Sequence, residues 1–153
     1  MVTHQKVFCS NWKNIRNQIE HVLYILPADK LTFTPHQEIS SMGRQLRHIA
    51  DVAEVYIRGI ETGRVDFSEK RRDRSMETSK EKLIHYIKQQ TQSVDTFVSA
   101  LPNPMLEAQV EFPELGLISV EMLLGLLIQH ESMHLGILYT TAILADINVP
   151  APL

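Results

Sequence analysis

The stretch Leu115–Leu144 constrains this chain more than any other. It is apolar enough to read as a long helix that must be buried. Met122, Leu123, Leu126 and Leu127 precede, and Leu135, Ile137 and Leu138 follow, a polar interruption: His130-Glu131-Ser132-Met133-His134. Its most apolar part, Leu115–Ile128, is broken by Ser119 and Glu121 and is too short to span a bilayer. The stretch therefore belongs to a protein core, and no membrane partner is expected. Two His four residues apart lie one turn apart on one helix face, where their imidazoles can reach one metal ion.

A neutral imidazole inside an apolar helix needs partners, because an unpaired buried polar group costs about 1–3 kcal/mol. One metal ion would satisfy both His130 and His134. The Glu between them completes the letters of the H-E-x-x-H metalloprotease signature. A metzincin would continue to a third His, but His134 is the last His of the chain. A gluzincin needs a downstream Glu, and none follows Glu131. A third His must come from upstream, where His4, His21, His36, His48 and His85 stand.

The chain has 153 residues, which suits one domain spanning residues 1–153. With 22% charged residues and a net charge of -3, it gives no electrostatic case for binding nucleic acid. Cys9, the single cysteine, excludes an internal disulfide and a cysteine-based zinc site. Met1–Trp12 lacks a basic start followed by an apolar block, so a cytoplasmic location is expected.

Four helices follow from apolar periodicity. The first is predicted over Asn11–Leu26, with Trp12, Ile15, Ile19, Val22 and Leu23 on its stripe. Ser41 caps a second, running to about Ile60, which Gly59 and Gly63 help to end. Arg64–Met76 carries charge of both signs and reads as a solvated loop. Thr78 and Glu81 form a capping box for a third helix, stopped by Pro102 and Pro104. Glu107–Leu117 has some extended character, and Ser119 caps a fourth helix running to about Ala145. The expected fold is all-α, a four-helix bundle. Long connections after helices two and three argue against simple up-and-down wiring. Bundle cores hold metal sites on facing helices, but Glu-x-x-His occurs once, at Glu131–His134, and not on the two helices that a di-metal centre needs, so one metal is expected.

Two segments carry a family likeness. Ser41-Met42-Gly43-Arg44-Gln45-Leu46-Arg47-His48-Ile49 resembles the helix-two signature of the DinB/YfiT-like superfamily, a capping Ser followed seven residues later by a His. His130-Glu131-Ser132-Met133-His134-Leu135-Gly136 resembles its helix-four signature, a His-x-x-x-His pair followed by Gly. The upstream Pro35 and the Trp12 helix also sit where that family places such residues. The likeness covers nearly the whole chain. (The family shares only a name with the translesion DNA polymerase.)

The resemblance implies a DinB-type bundle with a three-His metal site at His48, His130 and His134. Periodicity alone does not single out His48. Three imidazoles with an open position are a catalytic rather than a structural pattern for zinc. Imidazoles also suit nickel, iron and copper, with zinc or nickel expected as the one divalent cofactor. Members of the resembling superfamily include transferases that use low-molecular-weight thiols. The expectation is thus a thiol-dependent S-transferase acting on a small-molecule substrate. The alternatives are a hydrolase using a metal-bound water and a non-catalytic, dimeric metal- or ligand-binding bundle; the apolar faces make a homodimer an expectation. Glu131 is either a general base or a residue supporting a ligand from behind, and Asp51 and Glu54, one and two turns after His48, are further candidates for that supporting role.

Overall fold

The computed structural model describes residues 4–68 and 73–150. Four long helices dominate: α1 (His4–Ile25), α2 (Met42–Thr62), α3 (Lys80–Ala100) and α4 (Val120–Leu144). A two-stranded antiparallel hairpin, β1 (Gln109–Phe112) and β2 (Gly116–Ser119), precedes α4 and realises the extended character expected there. No described helix is long and apolar enough to cross a membrane.

Helix α1 lies against α3 and α4, and α2 lies against the same two. The chain therefore crosses a diagonal of the bundle between α1 and α2 and again between α3 and α4. Only the connection from α2 to α3 joins neighbours. This is the non-simple wiring expected from connection length, and the connection after α1 is itself long enough to cross, carrying a short 3-10 helix at Ala28–Thr32.

Capping residues set the helix starts. Ser41 accepts from the Arg44 N–H at 3.3 Å, and Ser119 accepts from the Met122 N–H at 3.1 Å. At α3 the cap is Ser79, which accepts from the Lys82 N–H, and not Thr78 of the expected capping box. Thr78 instead closes a 3-10 helix, Arg74–Thr78, that delivers the chain one residue further on. Helix α1 starts well before Asn11 because Gln5, Phe8 and Cys9 are already buried on its inner face. At the end of α2, Gly63 adopts φ 78°, the left-handed C-cap that costs glycine nothing.

The segment after α2 is less solvated than its charge suggested. Val65 and Met76 are buried, and Phe67 packs edge-on against Tyr56 and Phe112 at centroid distances of 6.2 and 5.9 Å. The charged run Glu69–Arg72 lies outside the described residues. Backbone bonds from Val65 N–H to Glu111 O and from Glu111 N–H to Gly63 O, both 2.9 Å, tie the hairpin to the end of α2.

The interior divides into two apolar clusters. One gathers Trp12, Tyr56, Val94 and Leu123; the other gathers Ile19, Leu46, Ile87 and Leu138. Every helix places a polar residue between its contributions to the two: Arg16 in α1, Asp51 in α2, Gln90 in α3 and Glu131 in α4. A polar layer thus crosses the middle of the bundle, and the expected site residues lie in or beside it.

Candidate metal centre

Three imidazoles from two helices meet at this level. His48 comes from α2, and His130 and His134 from successive turns of α4. One ligand atom of each lies within 4.8 Å of the others. The ring centroids of His130 and His134 are 4.5 Å apart, and His48 sits 5.1 and 4.9 Å from them. His48 Nε2 and His130 Nε2 are 3.2 Å apart. Two nitrogens each about 2.0–2.1 Å from one tetrahedral zinc would be about 3.3 Å apart, so the spacing suits shared ligation.

The protonation state suits metal ligation as well. The pKa of His130 is pushed down to about 3, first by burial, then by the neighbouring His134 and His48 and by the positive charge of Arg16. Burial lowers that of His134. Both rings are therefore neutral near pH 7, with lone pairs available to a metal. The buried Nδ1 atoms of His130 and His134 have no hydrogen-bond partner among the described residues. No Cys, Asp or Glu joins the group among the described residues, so a coordination position is left open.

Glu131 faces elsewhere. It lies about 100° round the helix from His130, where α1 brings Arg16 against it. Arg16 Nε donates to Oε2 at 2.7 Å and Nη2 donates to Oε1 at 2.6 Å, and both side chains are fully buried. This bidentate pair occupies both carboxylate oxygens, which leaves Glu131 poorly placed as a water-activating base. The guanidinium also lies over the Trp12 ring, 5.0 Å from its centroid. Sequence reasoning missed Arg16 altogether. A lone Arg on the otherwise apolar Trp12–Ile19 stripe was the available signal.

Asp51 and Glu54 enter a second network. Asp51 takes bonds from Arg47 and, at 2.8 Å, from the Tyr86 hydroxyl, which also lies 3.1 Å from Glu54. Arg47 Nε further donates to Glu77 at 2.8 Å. That contact exists because Gly43 lets the backbone of Glu77 press on α2: a Cβ there would come within 1.8 Å of the Glu77 carbonyl oxygen.

Of the remaining histidines, His4 lies in the first turn of α1, exposed and bonded to Glu121. His36 accepts from the Glu38 N–H at 3.2 Å, and His21 and His85 are exposed.

The histidine cluster opens on a cavity of about 880 Å³ lined by His48 and His134, the polar groups of Arg44, Arg47 and Arg74, and an apolar wall including Val52, Val55 and Phe67. The model of the DinB superfamily matches residues 11–138 of the sequence. The chain belongs to the DinB superfamily. Its fold is also that of solved DinB-like proteins. One, from Bacillus subtilis, superposes with a TM-score of 0.78 at 18% identity, covering 95% of this chain and 96% of the other. Another, from Bacillus cereus, gives 0.79 at 19% identity, with 94% of each chain covered. YfiT from Bacillus subtilis, described as a probable metal-dependent hydrolase with an unusual four-helix bundle topology, gives 0.78 at 10% identity over 94% and 89% of the two chains. No curated protein is similar enough in sequence to match. At these identities the likeness speaks for the fold of this DinB protein, and its chemistry must be argued from the site.

Proposed function

We propose that this DinB protein is a single-metal enzyme that holds one divalent transition ion through His48, His130 and His134 and transfers a small thiol to an electrophile. The observation that carries the reading is that His48 and His134 of the three-imidazole cluster line a cavity large enough for a small-molecule substrate. When bound, the ion would supply Lewis acidity, holding a thiol as its thiolate or, in a hydrolytic reaction, activating a water.

The chain's own residues do the rest. The neutral imidazoles of α4 offer lone pairs without first losing protons near pH 7. The side chains of Val52, Val55 and Phe67 give the cavity an apolar wall for the hydrocarbon part of a substrate. Arg16 keeps Glu131 engaged on the far side of α4. Thiol transfer is preferred over hydrolysis because a thiol, far more acidic than water, would release its proton to solvent on meeting the ion and needs no side-chain base. Hydrolysis keeps one point in its favour: Glu38 and Asp51 also line the cavity, although Asp51 already accepts from Arg47 and Tyr86.

The test is a conjugation assay on zinc- and nickel-loaded protein with small thiols and an aromatic electrophile, beside ester and amide substrates. Thiol consumption that depends on metal and is lost in His134→Ala is expected. Metal-dependent ester or amide cleavage without thiol conjugation would replace the transferase reading with the hydrolytic one.

A further inference from the structure

Six arginines lie among the described residues, and they divide sharply. Arg16 is bound to Glu131, Arg47 to Asp51 and Glu77, and Arg64 lies 3.9 Å from Glu111. Arg58 is engaged too. Arg44 and Arg74 alone have no carboxylate partner among the described residues, and both line the cavity beside the histidines. Two guanidinium groups without a carboxylate partner among the described residues thus line one cavity, and a guanidinium fork suits a carboxylate or another small oxyanion.

Helix α2 sets the distances. Arg44, His48, Val52 and Val55 all line the cavity at spacings of four, four and three residues, so they follow one face. At 1.5 Å rise per residue, Arg44 sits about 6 Å along the axis from His48 on one side, and Val52 about 6 Å on the other. The cavity therefore reads, in order, as a cationic end, the metal ligands and an apolar wall.

We propose that the ligand of this site carries an anionic group a few bonds from its reactive atom, bound by Arg44 and Arg74, while its apolar part lies against Val52, Val55 and Phe67. The proposal rests on the thiol reading only for which atom meets the metal. Glu38, which shares the cavity lining, opposes the anion and tunes its affinity downward.

The experiment titrates three thiols into the cobalt-loaded protein and follows the thiolate-to-cobalt absorption band. The thiols are 3-mercaptopropionate, 2-mercaptoethanol and cysteamine, which differ in charge at the far end. The carboxylate thiol is expected to bind about tenfold tighter than the neutral one, with cysteamine weakest. The advantage should vanish in Arg44→Gln and Arg74→Gln, both exposed positions where the fold is not at stake, and grow in Glu38→Gln. Equal binding of all three thiols would overturn the anion subsite and leave the thiol reading standing. If none shifts the band, the thiol reading fails. Propionate is then titrated into zinc-loaded protein by nuclear magnetic resonance: saturable shifts at Arg44 and Arg74 support the subsite, and their absence overturns it.

Discussion

His130 and Glu131 are adjacent in sequence and opposite in character. His130 turns to α2, stays neutral and leaves a buried nitrogen without a partner. Glu131 turns to α1, is wholly buried and has each carboxylate oxygen bound by Arg16. One helix thus presents an incomplete polar site on one side and, on the other, a carboxylate closed off by Arg16, whose own Nη1 has no partner among the described residues. The difference separates function from architecture. The closed side holds α1 to α4 in the polar layer, and the incomplete side gathers three imidazoles that could share one ion.

Breaking the closed side should have the largest effect. Arg16→Met leaves Glu131 buried without its countercharge and should cost about 3–5 kcal/mol in urea denaturation. Removing both charges in Arg16→Met/Glu131→Leu should recover most of that loss, because the pair itself adds little net stability over apolar packing. A double variant no more stable than the worse single one would show that the pair is not the unit described here.

Breaking the incomplete side should act on metal rather than on the fold. His130→Ala should weaken zinc binding by on the order of 100-fold or more, while metal-free stability moves by about 1 kcal/mol or less. Competition with a chromogenic chelator and urea denaturation of the metal-free variant measure the two.

Acid should sharpen the contrast. The folded His130 has its pKa lowered from 6.5 to about 3, so between those values the unfolded chain binds a proton that the folded chain refuses. Metal-free stability should therefore fall as pH drops from 6.5 towards 3, and His130→Ala should flatten that slope. The interval above pH 5, before most carboxylates titrate, is where the comparison is cleanest. The smallest expected effect lies in the network beside the site. Tyr86→Phe removes the hydroxyl shared by Asp51 and Glu54 and should cost about 1 kcal/mol in the same denaturation measurement.

Much of the fold was legible because the signals were local. Ser41 and Ser119 cap helices where periodicity begins, and apolar stripes mark the inner faces. The start of α1 was misjudged because Gln5 and Cys9 do not look like core residues until the helix is seen packed. The α3 cap shifted from Thr78 to Ser79 because tertiary packing of a preceding 3-10 helix decided between two adjacent candidates. At the site, the spacing of His130 and His134 was readable directly, whereas His48 came through family likeness: nothing in the sequence says which residue of α2 faces α4. The pairing of Arg16 with Glu131 spans 115 positions and carries no local pattern. Such contacts emerge only from topology.

A shared site at His48, His130 and His134 sets both the metal stoichiometry and its dependence on each ligand. Elemental mass spectrometry on untagged protein, beside His48→Ala and His130→Ala, measures both. About one equivalent of zinc or nickel per chain, lost in both variants, is the expected result. Metal retained in full by His48→Ala, or none bound even after reconstitution with either ion, would contradict it.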